Sequence, residues 1–588
     1  MKVRLIVLLS VITAGLVFAV QFEPFRQWMS DAVAPWKHGY RIQRAIKIPM
    51  RDGVTLTGTL ATPAGTEAPY HTIYMQTPYG PPWLTDGENP YRFFTRLGYA
   101  LLVQDVRGRY GSGGTFEVTR PIGNDGADTL DWIVEQPWSS GKVATFGCSY
   151  LGETQVALAR KRHPAHRAMV AQGAGGAIGS ARDSYGYFGV FENGVLNLGT
   201  AFGWFRDLGD THNAIPLAPH DDSYRAVEHL PVSELLSRVK DDPTDFDRFL
   251  AHPLDDPWWA NMGYVTDDDH FSTPALHVNG WFDLGVDGTF KLADVMRSNS
   301  DRAPQRVIIG PGGHCEDGRE ITHIGELPVN APPFPYHQVY TDWLGHWLDG
   351  SPLPDTPAYH VYVYNRDAWL SFDRWPPAQT ATADFYLGAG TLSSGPNADE
   401  VELRFTYDPL DPVPTLGGSA CCTGDPRLRS GSFDQRELAA RDDVLTFTSD
   451  PLPAPLTLVG SPSVEVTVAS SAVDTDFTAK LIDVWPDGRA FNIRDSVLRM
   501  RYRDGIASPS LITPGTKYRV RIELPPIAWE LRAGHRVELH LSSSNFPRLE
   551  RNLNRGGSTF TERAPVVAKN AVYTGGEAPS RLVLPVLR

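Results

Sequence analysis

The chain has 588 residues, 41% hydrophobic and 21% charged, with a formal net charge of −14 and a pI of about 5.6. A chain this long exceeds one core and implies roughly two to four domains, with the composition of a soluble globular protein. The acidic balance argues against nucleic acid or an anionic membrane surface as a partner.

The N-terminus opens with the basic Met1-Lys2-Val3-Arg4, followed by an uncharged apolar run from Leu5 to Val20. That run is shorter than the about 20 residues a membrane-spanning helix needs. With Val17-Phe18-Ala19 ahead of a cleavage point, residues 1–20 read as a signal peptide, with an uncleaved N-terminal anchor as the alternative. Both readings place the body of the protein outside the cytoplasm, and membrane contact is expected only if the segment is retained.

Residues 40–179 read as the first part of an α/β core. Arg41 to Ile48 and Val54 to Leu60 form strands around the Asp52-Gly53 turn signal. His71 to Gln76 and Ala100 to Gln104 are short apolar runs typical of buried strands, with a helix expected from Pro90 to Leu97 between them. The alternation continues through a helix near Gly126 to Glu135, a strand at Val143 to Phe146, a helix at Glu153 to Arg160 and a strand at Ala168 to Gln172. Such alternation predicts a mostly parallel sheet covered on both faces.

Between the strand at Val143 to Phe146 and the helix after it stands Gly147-Cys148-Ser149-Tyr150-Leu151-Gly152. It departs from Gly-x-Ser-x-Gly only by having its second glycine one residue late. A serine on so sharp a strand-to-helix turn projects its hydroxyl beyond the sheet. The N–H of Tyr150, at the start of the following helix, is placed to stabilise an oxyanion. An ordinary Gly/Ser turn is the plainer alternative for this stretch taken alone.

From 180 to 269 the alternation breaks into an aromatic-rich insert, expected to be a mostly helical cap whose aromatics form its core and line a substrate pocket. Residues 270–353 return to the α/β pattern, with strands at Ala275 to Asn279 and Arg306 to Ile309 and a closing helix at Gln338 to Leu348. These two strands run into Gly280-Trp281-Phe282-Asp283 and Gly310-Pro311-Gly312-Gly313-His314. A serine hydroxyl needs a base, and the base needs an orienting acid. Ser149, Asp283 and His314 follow one another in the order that α/β-hydrolases use, each at the C-terminal end of a strand. Tyr79, in the loop Thr77-Pro78-Tyr79-Gly80-Pro81-Pro82, is the candidate for a second oxyanion donor through its hydroxyl. Residues 354–588 alternate apolar and polar between Pro/Gly/Asp turns, as in an antiparallel sandwich or jelly roll.

Four cysteines do not make a disulfide scaffold. Cys148, Cys315, Cys421 and Cys422 are expected to be small buried thiols; export permits a Cys148–Cys315 bridge, but it is not expected. No His/Cys/Asp cluster has metal-ligand spacing, and Asp267-Asp268-Asp269-His270 reads as a solvated loop. Neither a metal nor an organic cofactor is expected.

With these motifs in hand, the sequence resembles the CocE/NonD hydrolase family, which includes cocaine esterase, α-amino-acid ester hydrolases, glutaryl acylases and X-Pro dipeptidyl-peptidases. The resemblance rests on Pro49-Met50-Arg51-Asp52-Gly53-Val54, Thr77-Pro78-Tyr79-Gly80, Gln104-Asp105-Val106-Arg107-Gly108-Arg109 and the Ser149 turn. It extends to the Asp283 and His314 loops and, in the tail, to Asp474-Thr475-Asp476-Phe477 and Ser542-Ser543-Ser544-Asn545-Phe546-Pro547. It implies an α/β-hydrolase core with a helical cap and a C-terminal jelly roll. It also implies Ser149 as nucleophile, His314 as base, Asp283 as its orienting acid, and Tyr79 and Tyr150 as the oxyanion hole.

Two departures bear on substrate. Leu284-Gly285-Val286 follow Asp283 where the related amino-acid ester hydrolases carry acids, although the cap acids Asp183, Glu192, Asp207 and Asp210 could supply a charge. Gly312 stands where the family more usually has Trp, which implies a roomier wall. The expectation is an exported serine hydrolase that cleaves small-molecule carboxylic esters or amides through an acyl-enzyme, with a neutral acyl group favoured. The alternatives are an X-Pro dipeptidyl-peptidase, α-amino-acid ester hydrolase or β-lactam acylase and, from a different class, an inert secreted glycan-binding protein.

Overall fold

The computed structural model describes residues 31–588 apart from 33, 37–38, 81–89, 213–221, 242–243 and 301–302. The apolar N-terminal segment and Pro81-Pro82 lie outside the described residues. No helix among the described residues is long and apolar enough to cross a membrane.

Ten strands build the first sheet: β1 Tyr40–Pro49, β2 Thr55–Pro63, β3 Tyr70–Thr77, β4 Ala100–Asp105, β5 Ser139–Cys148, β6 His166–Gln172, β7 Ala275–Gly280, β8 Gln305–Gly310, β9 Tyr359–Val363 and β10 Ala368–Phe372. Their order is β1-β2-β4-β3-β5-β6-β7-β8-β9-β10. The pairs from β4–β3 through β8–β9 are parallel, and the edges β1–β2, β2–β4 and β9–β10 are antiparallel. Every residue of β4 is buried, which explains why Ala100 to Val103 read as an unbroken apolar run rather than as an alternation; β7 is equally buried although His277 and Asn279 interrupt its apolar residues.

The helices α1 Pro90–Arg96, α2 Ile122–Val134, α3 Tyr150–Ala159, α4 Leu198–Leu208, α5 Phe246–Ala251, α6 Val286–Ser298 and α7 Tyr336–Asp349 follow in chain order. Phe94 of α1 and Trp343, Leu344 and Leu348 of α7 bury one face of the sheet against Ile73, Val103, Ala144, Val170 and Val278. The other face is covered by Leu130 and Ile133 of α2, Val156 and Leu158 of α3, and Leu292 and Val295 of α6.

The insert between β6 and β7 holds α4 and α5, the short hairpin Phe191–Glu192/Val195–Leu196, and 3-10 turns such as Asp222–Glu228 and Pro257–Asn261. Phe202, Phe205, Phe246, Phe249 and Trp259 form its core, as the aromatic run implied.

The Tyr359 to Val363 run was expected to open the C-terminal domain. It is instead a strand of the first sheet, with Val307, Ile308 and Ile309 of β8 in parallel register with Tyr359, His360 and Val361. Alternation along the run suggested an antiparallel sandwich, but all of β9 except His360 is buried, so the pattern marks no solvent face and does not identify the sheet. His323–Ile324 and Leu327–Pro328 pair as a short hairpin of their own, and thirteen strands from Thr380 onward form a separate sheet. Its buried residues, among them Phe477 and Trp529, share one apolar core with Trp281, Phe282 and Tyr364, so the loop leading to Asp283 is packed against the C-terminal domain.

Candidate active site

The turn after β5 is strained at its serine. Ser149 has φ 62° and ψ −130°, a left-handed backbone that a non-glycine residue adopts only when its surroundings impose it. Two glycines make the turn close. A Cβ on Gly147 (φ 147°) would lie 2.6 Å from the Cβ of Leu151, and one on Gly152 would lie 2.4 Å from the Gln172 carbonyl oxygen. The second is a backbone contact and cannot yield, so the late glycine of the motif is required for α3 to dock on β6. The Ser149 N–H donates to the Gln172 carbonyl at 2.9 Å and ties the turn to the neighbouring strand.

Asp283 is buried, and Gly285 N–H donates to its Oδ1 at 2.5 Å. Its Oδ2 pairs with Nδ1 of His314, whose side chain is 16% exposed. Among the described residues the buried Nε2 of His314 has no hydrogen-bond partner. Burial pulls the His314 pKa down, but the charge and hydrogen bond of Asp283 outweigh it and hold the imidazole up at about 9. Ser149, Asp283 and His314 line one cavity of about 40 Å³, the room of roughly three water-sized centres.

Tyr79 lies within hydrogen-bond reach of Ser149 and Trp204, and burial raises its hydroxyl pKa, so it is held as a neutral donor. Its ring meets that of Tyr150 edge-on at 6.4 Å. Tyr150 is the first residue of α3, so its N–H belongs to the helix N-terminus, while its hydroxyl donates to the Val118 carbonyl at 2.5 Å. The sequence thus brings all five candidates, Ser149, Asp283, His314, Tyr79 and Tyr150, to one place. A hydroxyl, an imidazole oriented by a carboxylate, and two donors are the parts that acyl transfer uses.

Phe188, Trp204, Phe205 and Leu284 form the apolar wall of the cavity. Of the cap acids, Asp207 pairs with Arg206 and Asp210 with Lys240. Asp183 and Glu192 line a separate cavity of about 440 Å³ on the far side of Gly189, Leu284 and Gly285. Gly312 does not widen the site; it borders another cavity, with Glu316 and Trp369.

Three features of the site escaped sequence reasoning. Glu153, on α3 one turn after the serine, puts a carboxyl into the cavity. Its Oε2 is buried without a partner among the described residues, and burial pushes its pKa well above the ordinary range against the pull of His314. Cys148 and Cys315 are joined by a disulfide, S–S 1.99 Å, correcting the expectation of free thiols. Each directly adjoins a residue that must reach the same cavity, Ser149 or His314, so bringing those two together brings the cysteines together. Finally, Cys421 and Cys422, from the C-terminal domain, line the cavity near His314. The expectation of no ligand cluster therefore fails in space, because the fold unites residues far apart in sequence.

The chain matches the family described as X-Pro dipeptidyl-peptidase (S15 family) over residues 52–316 and the X-Pro dipeptidyl-peptidase C-terminal non-catalytic domain over residues 353–583. It is 33% identical to the cocaine esterase of Rhodococcus sp. (strain MB1 Bresler) over 93% of this chain and 99% of that protein. It belongs to the CocE/NonD family of serine hydrolases. Solved structures of the same architecture include an aminopeptidase from a marine sediment Thaumarchaeota archaeon, with TM-score 0.82, 25% identity, and 94% and 97% of the two chains covered. An α-amino acid ester hydrolase has TM-score 0.80, 25% identity, and 93% and 97% coverage. The CocE/NonD fold, an α/β-hydrolase with a C-terminal β domain, is therefore that of this chain.

Proposed function

We propose that this CocE/NonD hydrolase is an exported esterase that cleaves small carboxylic esters through an acyl-enzyme on Ser149. His314 takes the serine proton at Nε2 and returns it to the leaving group. Asp283 orients the imidazole and stabilises its charged form, and the Tyr79 hydroxyl and Tyr150 N–H hold the oxyanion. The observation that carries this reading is the strained Ser149 turn opening into the cavity that holds the His314–Asp283 pair. Ester cleavage is also what the name of the cocaine esterase relative describes. The Cys148–Cys315 disulfide supports export, since such bonds persist mainly outside the cytoplasm.

The small cavity and its apolar wall favour a short neutral acyl group. An α-ammonium would lose its hydration there, at a cost of about 1–3 kcal/mol or more. A second reading has Glu153 behind it: ionised, its carboxyl would meet an α-ammonium inside the cavity. The two are separated by kcat/KM for a neutral acyl ester and its α-amino analogue, at a pH well below the pKa of the amine. We expect the neutral ester to be preferred by at least about tenfold. The reverse preference, lost in Glu153→Gln, would establish the amino-acyl reading in its place. A protein that hydrolyses neither ester and takes no fluorophosphonate label would be an inert binder.

A further inference from the structure

Cys421 and Cys422 are free thiols, the first half-buried and the second exposed, on a loop that the C-terminal domain lends to the hydrolase site. Successive side chains of an extended chain point to opposite faces. Cys422 instead has a left-handed backbone, φ 57°, and the two sulfurs lie 2.9 Å apart. The loop is anchored on both sides. Ser430 Oγ donates to the Phe282 carbonyl at 2.8 Å, and Gly203 of α4 packs so closely on the Cys422 and Thr423 carbonyls that a Cβ there would lie 2.4 Å from each. A ring nitrogen of His314 and both sulfurs all lie within 4.8 Å of one another. Nδ1 is engaged by Asp283, which leaves Nε2, buried and without a partner among the described residues.

We propose that Cys421, Cys422 and Nε2 of His314 form a binding site for a thiophilic divalent cation of the Zn²⁺ or Cd²⁺ type, and that its occupation silences the hydrolase. Two thiolates and an imidazole are a soft donor set that selects such ions over Mg²⁺ or Ca²⁺. A tetrahedral zinc site with bonds of about 2.3 Å to sulfur and 2.0–2.1 Å to nitrogen needs about 3.8 Å between sulfurs and about 3.6 Å between nitrogen and sulfur. From the 2.9 Å seen between the sulfurs, binding requires them to part by about 0.9 Å, within a triad whose donor atoms all lie within 4.8 Å of one another. On binding, the protons of both thiols and the proton carried on Nε2 of the His314 imidazolium are released to solvent, two metal–sulfur bonds and one metal–nitrogen bond form, and the fourth position is left to water. Silencing rests on the reading of His314 as base, because the metal occupies the lone pair that would accept the Ser149 proton.

The test uses the full-length oxidised protein. Unfolded without reductant, it should titrate as two thiols, Cys421 and Cys422. Co²⁺ should then produce a near-ultraviolet sulfur-to-cobalt charge-transfer band and the intense visible bands of a tetrahedral ion, both erased by Zn²⁺. The Ser149→Ala variant should give the same spectrum, so the site is read independently of catalysis. Zn²⁺ should abolish ester hydrolysis and a chelator should restore it. Cys421→Ser and Cys422→Ser should each lose the charge-transfer intensity and raise the inhibitory Zn²⁺ concentration at least about tenfold, each judged against its own metal-free rate. Fewer than two thiols, no band at up to roughly 1 mM Co²⁺, or undiminished Zn²⁺ inhibition in both serine variants would overturn the site. A full spectrum with undiminished hydrolysis would overturn the silencing, while leaving the thiolate site and the base role of His314 to their own tests.

Discussion

At the scale of single residues, the chemistry depends on how His314 and Tyr79 are held. Asp283 keeps the imidazole protonated up to about pH 9, yet a general base must be neutral to accept a proton. kcat/KM should therefore rise with pH, with a midpoint above the ordinary imidazole value of about 6.5. The sign for stability is opposite. A pKa raised on folding contributes stability that is complete below about 6.5 and is lost as pH climbs through about 9. The hydrolase should thus be most active where this pair supports the fold least, and a rate profile with its midpoint at or below 6.5 would refute that. For Tyr79, replacement by Phe should lower kcat by roughly two to three orders of magnitude with KM little changed, the effect of losing one oxyanion donor. A loss of thermal stability with kcat preserved would instead mark it as a packing residue. Ser149, Asp283 and His314 were legible in the sequence because each ends an apolar strand at a turn of small residues. Glu153 was not, since a carboxylate one turn into a helix looks like a solvated face until the helix is docked.

At the scale of elements, the disulfide joins the last residue of β5 to the loop after β8, two strands separated in the sheet by β6 and β7. It cross-links the segment that carries Ser149 to the one that carries His314 across a sequence separation of 167 residues. Replacing Cys148 and Cys315 together by serine should cost about 2–4 kcal/mol in stability, read from the denaturant midpoint, and kcat should fall because the two segments lose their tie. An unchanged midpoint would contradict a stabilising cross-link between the two segments. Most of the sheet could be drawn from the sequence, since its buried parallel strands carry short apolar stretches such as Ala100 to Val103 and Ala168 to Ala171. The exception is instructive. In Tyr359-His360-Val361-Tyr362-Val363 polar and apolar side chains alternate, and which sheet such a strand joins is decided by its partner β8 rather than by its own pattern.

At the scale of the whole molecule, the C-terminal domain is part of the site. Trp281, two residues before Asp283, is fully buried in the core that both sheets share. Its indole N–H donates to the Tyr362 carbonyl at 2.6 Å, and the guanidinium of Arg494 in the β domain donates to the Trp281 carbonyl. Trp281→Ala should therefore destabilise by about 3–5 kcal/mol and also depress kcat by loosening Asp283; a stable, fully active variant would mean that the domains pack without steadying the site. The same domain delivers Cys421 and Cys422 to the cavity, a juxtaposition that no local pattern could reveal. The central claim, hydrolysis through an acyl-enzyme on Ser149, has one direct test. The protein is mixed with an aryl ester, quenched in acid within the first turnovers, digested and examined by mass spectrometry. The acyl mass is expected on the peptide that carries Ser149 and is expected to be absent in Ser149→Ala; a turning-over enzyme with no adduct, or with the acyl group on Cys422, would contradict an acyl-enzyme on Ser149.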